Sequence, residues 1–162
     1  MNQNVNHVDH VVWITHLNNQ AARVQELSKM FKAEFLGPRE FPDMGMCIYV
    51  CWESGLEIVA PLNEDTPQAN QLRKRLEERG EGFLAVVFGV PDIMAAREHV
   101  LKLGYTPSDV IEYAGQKPWS NKLETFKEVI VTEFLGTLMA FGEITYSDGV
   151  FRTQVETPVN KG

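Results

Sequence analysis

Val11-Val12-Trp13 returns 75 residues later as Val86-Val87-Phe88, and Ala21-Ala22-Arg23 returns 74 residues later as Ala95-Ala96-Arg97. A chain that repeats itself at such a period holds two copies of one supersecondary unit, and neither copy can bury its apolar face alone. Each copy opens with an apolar run of strand length and passes into helical periodicity. Leu17, Ala21, Val24, Leu27 and Phe31 form the apolar stripe of the first helix, and Ile93, Ala96, Val100 and Leu103 that of the second. Asn18 is predicted to cap the first helix and Gly104 to end the second. Three extended segments follow each helix: 34–39, 44–52 and 56–60, then 105–113, 126–134 and 137–146. Gly37-Pro38, Gly55 and Gly136 supply the turns. The unit is therefore βαβββ and the class α+β, with two paired units forming a curved mixed sheet around one cleft. The first unit is placed at 6–62 and the second at 81–146. Between them, 63–80 holds a linker helix signalled by Thr66, Pro67 and Gly80. The polar stretch 147–162 is expected to be a loose tail.

Composition narrows the function classes. The 162 residues are 44% hydrophobic and 23% charged, as in ordinary globular chains. Fifteen Lys and Arg against 22 Asp and Glu give a net charge of −7, which argues against a nucleic-acid partner. No apolar run approaches the roughly 18 residues that span a bilayer. Residues 1–6 carry neither the basic nor the apolar region of a secretory signal, so a cytoplasmic protein is expected. The two cysteines, Cys47 and Cys51, share one strand-like run. Four residues of strand span about 13 Å, beyond the roughly 7 Å that a disulfide allows. They read as small buried hydrophobes.

Chemistry-bearing residues interrupt the apolar strands. Asp9 and His10 break the run 8–15, with His10 on the side of Val8, Val12 and Ile14. Glu57-Ile58 breaks the last strand of the first copy and Glu143-Ile144 the last strand of the second. A solvent-facing position would explain either Glu alone; the recurrence in both copies, together with His10, points to a shared site. One imidazole and two carboxylates make a donor set for Mn, Fe, Co, Ni or Zn. His7, His16 and His99 are read as solvated. Trp13, Tyr49, Trp52, Phe88, Trp119, Phe126 and Phe141 are aromatic material for a cleft wall or for core. Of the residues that could meet a ligand, Trp52, Phe141, Ile14 and the loop residue Trp119 are singled out.

Val8-Asp9-His10-Val11, Gly55-Leu56-Glu57-Ile58-Val59-Ala60-Pro61 and the segment 82–92 open and close units that resemble the vicinal oxygen chelate superfamily. That group includes glyoxalase I, methylmalonyl-CoA epimerase, extradiol dioxygenases, fosfomycin-resistance transferases and bleomycin-binding proteins. The resemblance covers residues 6–146. It implies a glyoxalase-like fold and, in metal-binding members, four ligands from the first and last strands of each unit. His10 matches the first, Glu57 the second and Glu143 the fourth, whereas the third, commonly His, falls on Ala85. That departure argues against ring cleavage. The implied function is a metal-assisted isomerase, epimerase or lyase on a small carbonyl compound, with Glu143 as proton-transfer base. The resemblance allows the units to pair within one chain or between chains, and the exposed strand edges of such units lead to the expectation of a homodimer. The alternative is a metal-free binding or resistance protein for a planar hydrophobic molecule.

Overall fold

A computed structural model of the chain describes residues 7–112, 121–147 and 149. Along the chain run β1 (His7–Ile14), α1 (Leu17–Phe31), β2 (Leu36–Phe41), β3 (Met46–Cys51), β4 (Leu56–Pro61) and α2 (Pro67–Arg79). There follow β5 (Gly82–Gly89), α3 (Ile93–Lys102), β6 (Ile111–Glu112), β7 (Leu123–Phe134) and β8 (Thr137–Tyr146). All eight strands form one mixed sheet in the order β2-β3-β4-β1-β5-β8-β7-β6, curled into a half-barrel.

The repeated apolar runs are its spine. β1 and β5 pair antiparallel, with His10 opposite Val87 and Val12 opposite Ala85. Each then pairs parallel with the last strand of its own unit, Val12 level with Glu57 and Val87 level with Ala140. The two units thus join within one chain, related by an approximate twofold between β1 and β5.

Two of the helices, α1 and α3, cover the convex side. In α3, Ile93, Ala96 and Val100 pack with Val129, Val131 and Phe141, and in α1 the buried Gln20 donates to the Cys47 and Ile58 carbonyls, bridging β3 and β4. The concave side is filled at one end by Val12, Ile14, Val50, Val59 and Ala85, and Leu76 of α2 closes that cluster with Leu72 beside it. No helix among the described residues is long and apolar enough to cross a membrane.

The linker helix forms where its signals place it: Thr66 Oγ1 accepts from Ala69 N, Pro67 opens the helix and Gly80 ends it at φ +69°. Both cysteines are free and buried. Two boundaries differ from expectation. The first helix begins after His16, which supplies no side-chain cap, so Asn18 lies inside it. Glu81 serves the end instead, accepting from His16 N and Asn19 Nδ2. Of the extended segment expected over 105–113, only Ile111 and Glu112 among the described residues pair as strand, against Glu128 and Lys127. The expected tail lies almost wholly outside the described residues.

Candidate active site

Alternation along paired strands sorts the side chains by face. His10, Val12, Glu57, Ala85, Val87 and Ala140 share the concave face through the pairings already given. Gly142 lies on it too, since a Cβ there would meet Val87 Cγ1 at 2.9 Å. Its partner across the β7–β8 ladder is Glu128. The carboxylate of Glu128 therefore enters the concave space over a residue that has no side chain to obstruct it.

Three titratable groups meet there. His10 Nε2 is 3.9 Å from Glu57 Oε2 and 3.9 Å from Glu128 Oε1. The other ring nitrogen, Nδ1, donates to Asp9 Oδ1 at 2.8 Å. The side chains of His10, Glu57 and Glu128 are 10%, 19% and 18% exposed. Desolvation pushes Glu128 up to about 7; His10 works against this, and the nearby Glu57 and Asp9 charges add to it. Burial likewise raises Glu57, opposed by His10. Burial disfavours the imidazolium of His10, but the Asp9 hydrogen bond and then the Glu57 and Glu128 charges outweigh it, and its pKa is raised. The cleft around this cluster is lined by His10, Val50, Trp52, Glu57, Phe126 and Tyr146 among others, and its free space of about 20 Å³ suits an ion or about one water.

Glu143 is elsewhere. Val12 and Val87 are equivalent in the repeat, so the strand pairings make Ala140, not Glu143, the counterpart of Glu57. An offset of three positions turns a strand residue to the opposite face. Glu143 Oε2 accepts from Ile93 N at 2.9 Å and Oε1 from Lys127 Nζ at 3.2 Å. It caps α3 on the convex side, where a carboxylate also meets the positive end of the helix dipole. Of His10, Glu57 and Glu143, the first two therefore converge and Glu143 does not, and the second carboxylate beside His10 is that of Glu128. The sequence signal for Glu128 was weak, one acid among the alternating residues of β7, and its role depends on which face the β7–β8 register exposes.

The ligand-contact expectations divide similarly. Trp52 lines the cleft, its ring edge-on to Tyr146 with centroids 6.2 Å apart. Phe126, 6.4 Å from the His10 ring, lines it as well. Phe141 packs beneath α3, and Ile14 is wholly buried in the cluster closed by α2, so neither faces the cleft. Trp119 lies outside the described residues. A wider hollow of about 540 Å³ opens beyond the ends of β1 and β4 near His16, Asn63, Arg73 and Glu77. The Arg73 guanidinium there is held by the Leu62 and Glu64 carbonyls and by Asn70.

Among the described residues no group of three or more His, Cys, Asp or Glu side chains is arranged to hold a metal ion. The chemistry of the donor set nonetheless fits a divalent ion. An imidazole whose Nδ1 is fixed by a carboxylate turns its second nitrogen towards two desolvated carboxylates, the outer-sphere pattern common at metal-bound histidine.

No family model matches the sequence, and no curated protein matches it. Solved structures do. Methylmalonyl-CoA epimerase from Mycobacterium tuberculosis is 16% identical, with a TM-score of 0.65 over 90% of this chain and 92% of that one. A Streptomyces coelicolor methylmalonyl-CoA epimerase variant in complex with 2-nitronate-propionyl-CoA is 17% identical, at 0.63 over 95% and 99%. A hypothetical protein from Bacillus halodurans is 21% identical, at 0.62 over 86% and 95%. At these identities the likeness establishes the fold, which this chain shares with those proteins.

Proposed function

We propose that this protein is a proton-transfer isomerase or epimerase acting on a small oxygenated carbonyl compound, assisted by a divalent ion. The observation that carries this reading is the meeting of His10 and Glu57 from one unit with Glu128 from the other in a desolvated cleft. His10 Nε2, Glu57 and Glu128 would hold the ion, which supplies Lewis-acid polarisation of a carbonyl oxygen. Glu128 is the proton carrier, the carboxylate that the second unit brings to within 3.9 Å of His10 Nε2 in the cleft. Glu57 is the carboxylate partner from the first unit, and Asp9 keeps the imidazole oriented. Trp52, Phe126 and Tyr146 keep bulk water from the reacting carbon. No Lys or Arg is among the residues lining the described cleft, which favours a small substrate over one that carries several phosphates.

Deuterium exchange from D2O into carbonyl compounds with an acidic α-hydrogen tests the reading. A panel including methylmalonyl-CoA, the ligand in one structural neighbour, provides the probes. Exchange should require the ion, stop on chelation, and fall by roughly 10²- to 10⁴-fold in Glu128→Gln. The aromatic trio favours one other reading, a metal-free binder of planar hydrophobic molecules. Ligand affinity untouched by chelators and by Glu128→Gln, but lost in Trp52→Ala, would favour that reading.

A further inference from the structure

Tyr146, the last residue of β8, reaches across the sheet to the first strand. Its hydroxyl donates to Asp9 Oδ1 at 2.8 Å, and the same oxygen accepts from His10 Nδ1 at 2.8 Å. Asp9 is 4% exposed, so this carboxylate serves partners inside the protein. Neighbours on a regular strand point to opposite faces, yet Asp9 and His10 act on one another. The register of β1 against β5 shifts between Val8 and His10, a bulge that re-aims the Asp9 side chain towards the ring of the next residue. The Tyr146 ring is steadied edge-on by Trp52.

We infer that Tyr146 is a positioning residue that acts through Asp9 to fix the His10 ring, with Nδ1 as donor and Nε2 facing Glu57 and Glu128. Two donors on one carboxylate oxygen leave the Asp9 side chain little rotational freedom, and a carboxylate so fixed accepts from Nδ1 and not from Nε2. The neutral ring then presents a lone pair at Nε2, the form in which an imidazole binds a metal. The arrangement also joins the two units at the site, because the hydroxyl that holds Asp9 comes from the last strand of the second unit. What Nε2 does there rests on the function proposed above; the ring's tautomer does not.

The test uses the full chain as wild type, Tyr146→Phe and Asp9→Asn, with two readouts. The first is the nitrogen-15 spectrum of His10 in metal-free protein with the ring neutral, the signal being identified by its loss in His10→Gln. The second is calorimetric titration with Zn2+ alone. Wild type should show the Nδ1–H tautomer. Asp9→Asn can turn an amide N–H towards Nδ1, so it should shift the ring towards the Nε2–H form and weaken Zn2+ binding by roughly 10- to 100-fold. Tyr146→Phe keeps the ring and its packing and should move both readouts the same way by a smaller factor. A wild-type His10 in the Nε2–H form, or a Tyr146→Phe protein with unchanged His10 spectrum and Zn2+ affinity, overturns the inference. Should wild type bind no Zn2+, the ion falls from the proposed function while the tautomer comparison still decides the role of Tyr146. If Asp9→Asn does not fold, Tyr146→Phe carries the same two readouts.

Discussion

Glu128 and Glu143 lie in the same β7–β8 hairpin, and the pleat alone decides which of them meets His10. Glu128 pairs with Gly142 on the concave face, and Glu143 pairs with Lys127 on the other. The recurring Glu-Ile dipeptide made Glu57 and Glu143 look equivalent in the sequence, yet strand register is a property of pairing and a three-residue offset reverses the face. His10 and Glu57 were legible because their strands are short apolar runs in which a polar residue stands out. Glu128 was not, because β7 alternates and an acid there resembles any solvent-facing residue. Glu143→Gln should therefore leave catalysis and ion binding intact. It should cost roughly 1 kcal/mol through the weakened α3 cap, seen as a fall in Tm of about 2–4 °C. The pH dependence of the metal-free protein follows from the same cluster, in which Asp9 and His10 on β1, Glu57 on β4, Glu128 on β7 and Tyr146 on β8 face one another. A carboxyl whose folded pKa lies above its unfolded value favours folding while protonated, and that contribution fades as pH rises through the folded value. Glu128, raised from 4.5 to about 7, and Glu57, raised as well, both act this way. So does His10, whose raised pKa favours folding while the ring is charged. Chemical denaturation of chelated protein should show stability falling between about pH 5 and pH 8, and a divalent ion should reverse the loss. A metal-free protein more stable at pH 8 than at pH 5 would contradict the burial of these groups.

Secondary-structure elements were legible where their signals are local. Thr66, Pro67 and Gly80 fixed α2 because capping involves only the neighbouring backbone. The start of α1 escaped because the side chain that braces it, Glu81, is distant in sequence. The segment after Gly104 has strand-like composition, but apart from Ile111 and Glu112 it meets β7 chiefly through Ser108, whose N–H donates to the Ile130 carbonyl. Nothing in the sequence announced that α2 would close the concave side, since a charged helix with two leucines on one side also suits a solvated connector. Leu76, 5% exposed, lies in one buried cluster with Val12, Ile14 and Val59. Leu76→Ala should cost roughly 2–5 kcal/mol, measured by denaturant titration, with m unchanged. A loss below about 0.5 kcal/mol, the range of surface substitutions, would mean that α2 is a surface connector.

At the scale of the whole molecule, the repeat specified the architecture: two copies of one unit, paired through their first strands, make a half-barrel with one concave face. That face is divided between an apolar end under α2 and a polar end at His10. The sheet ends at β2 and β6, and β2 is exposed along nearly its whole length. Open edges invite pairing, so a homodimer is expected by light scattering at micromolar concentration, and a monomer there would refute it. The central claim is that Glu128, and not Glu143, completes an ion-binding acid–base site with His10 and Glu57. Calorimetric titration of Co2+ into wild type, Glu128→Gln and Glu143→Gln tests it most directly. Wild type should take up one ion, Glu143→Gln should match it, and Glu128→Gln should bind at least about tenfold more weakly, a difference of roughly 1.4 kcal/mol. Equal affinity in wild type and Glu128→Gln, or weakening confined to Glu143→Gln, would contradict it.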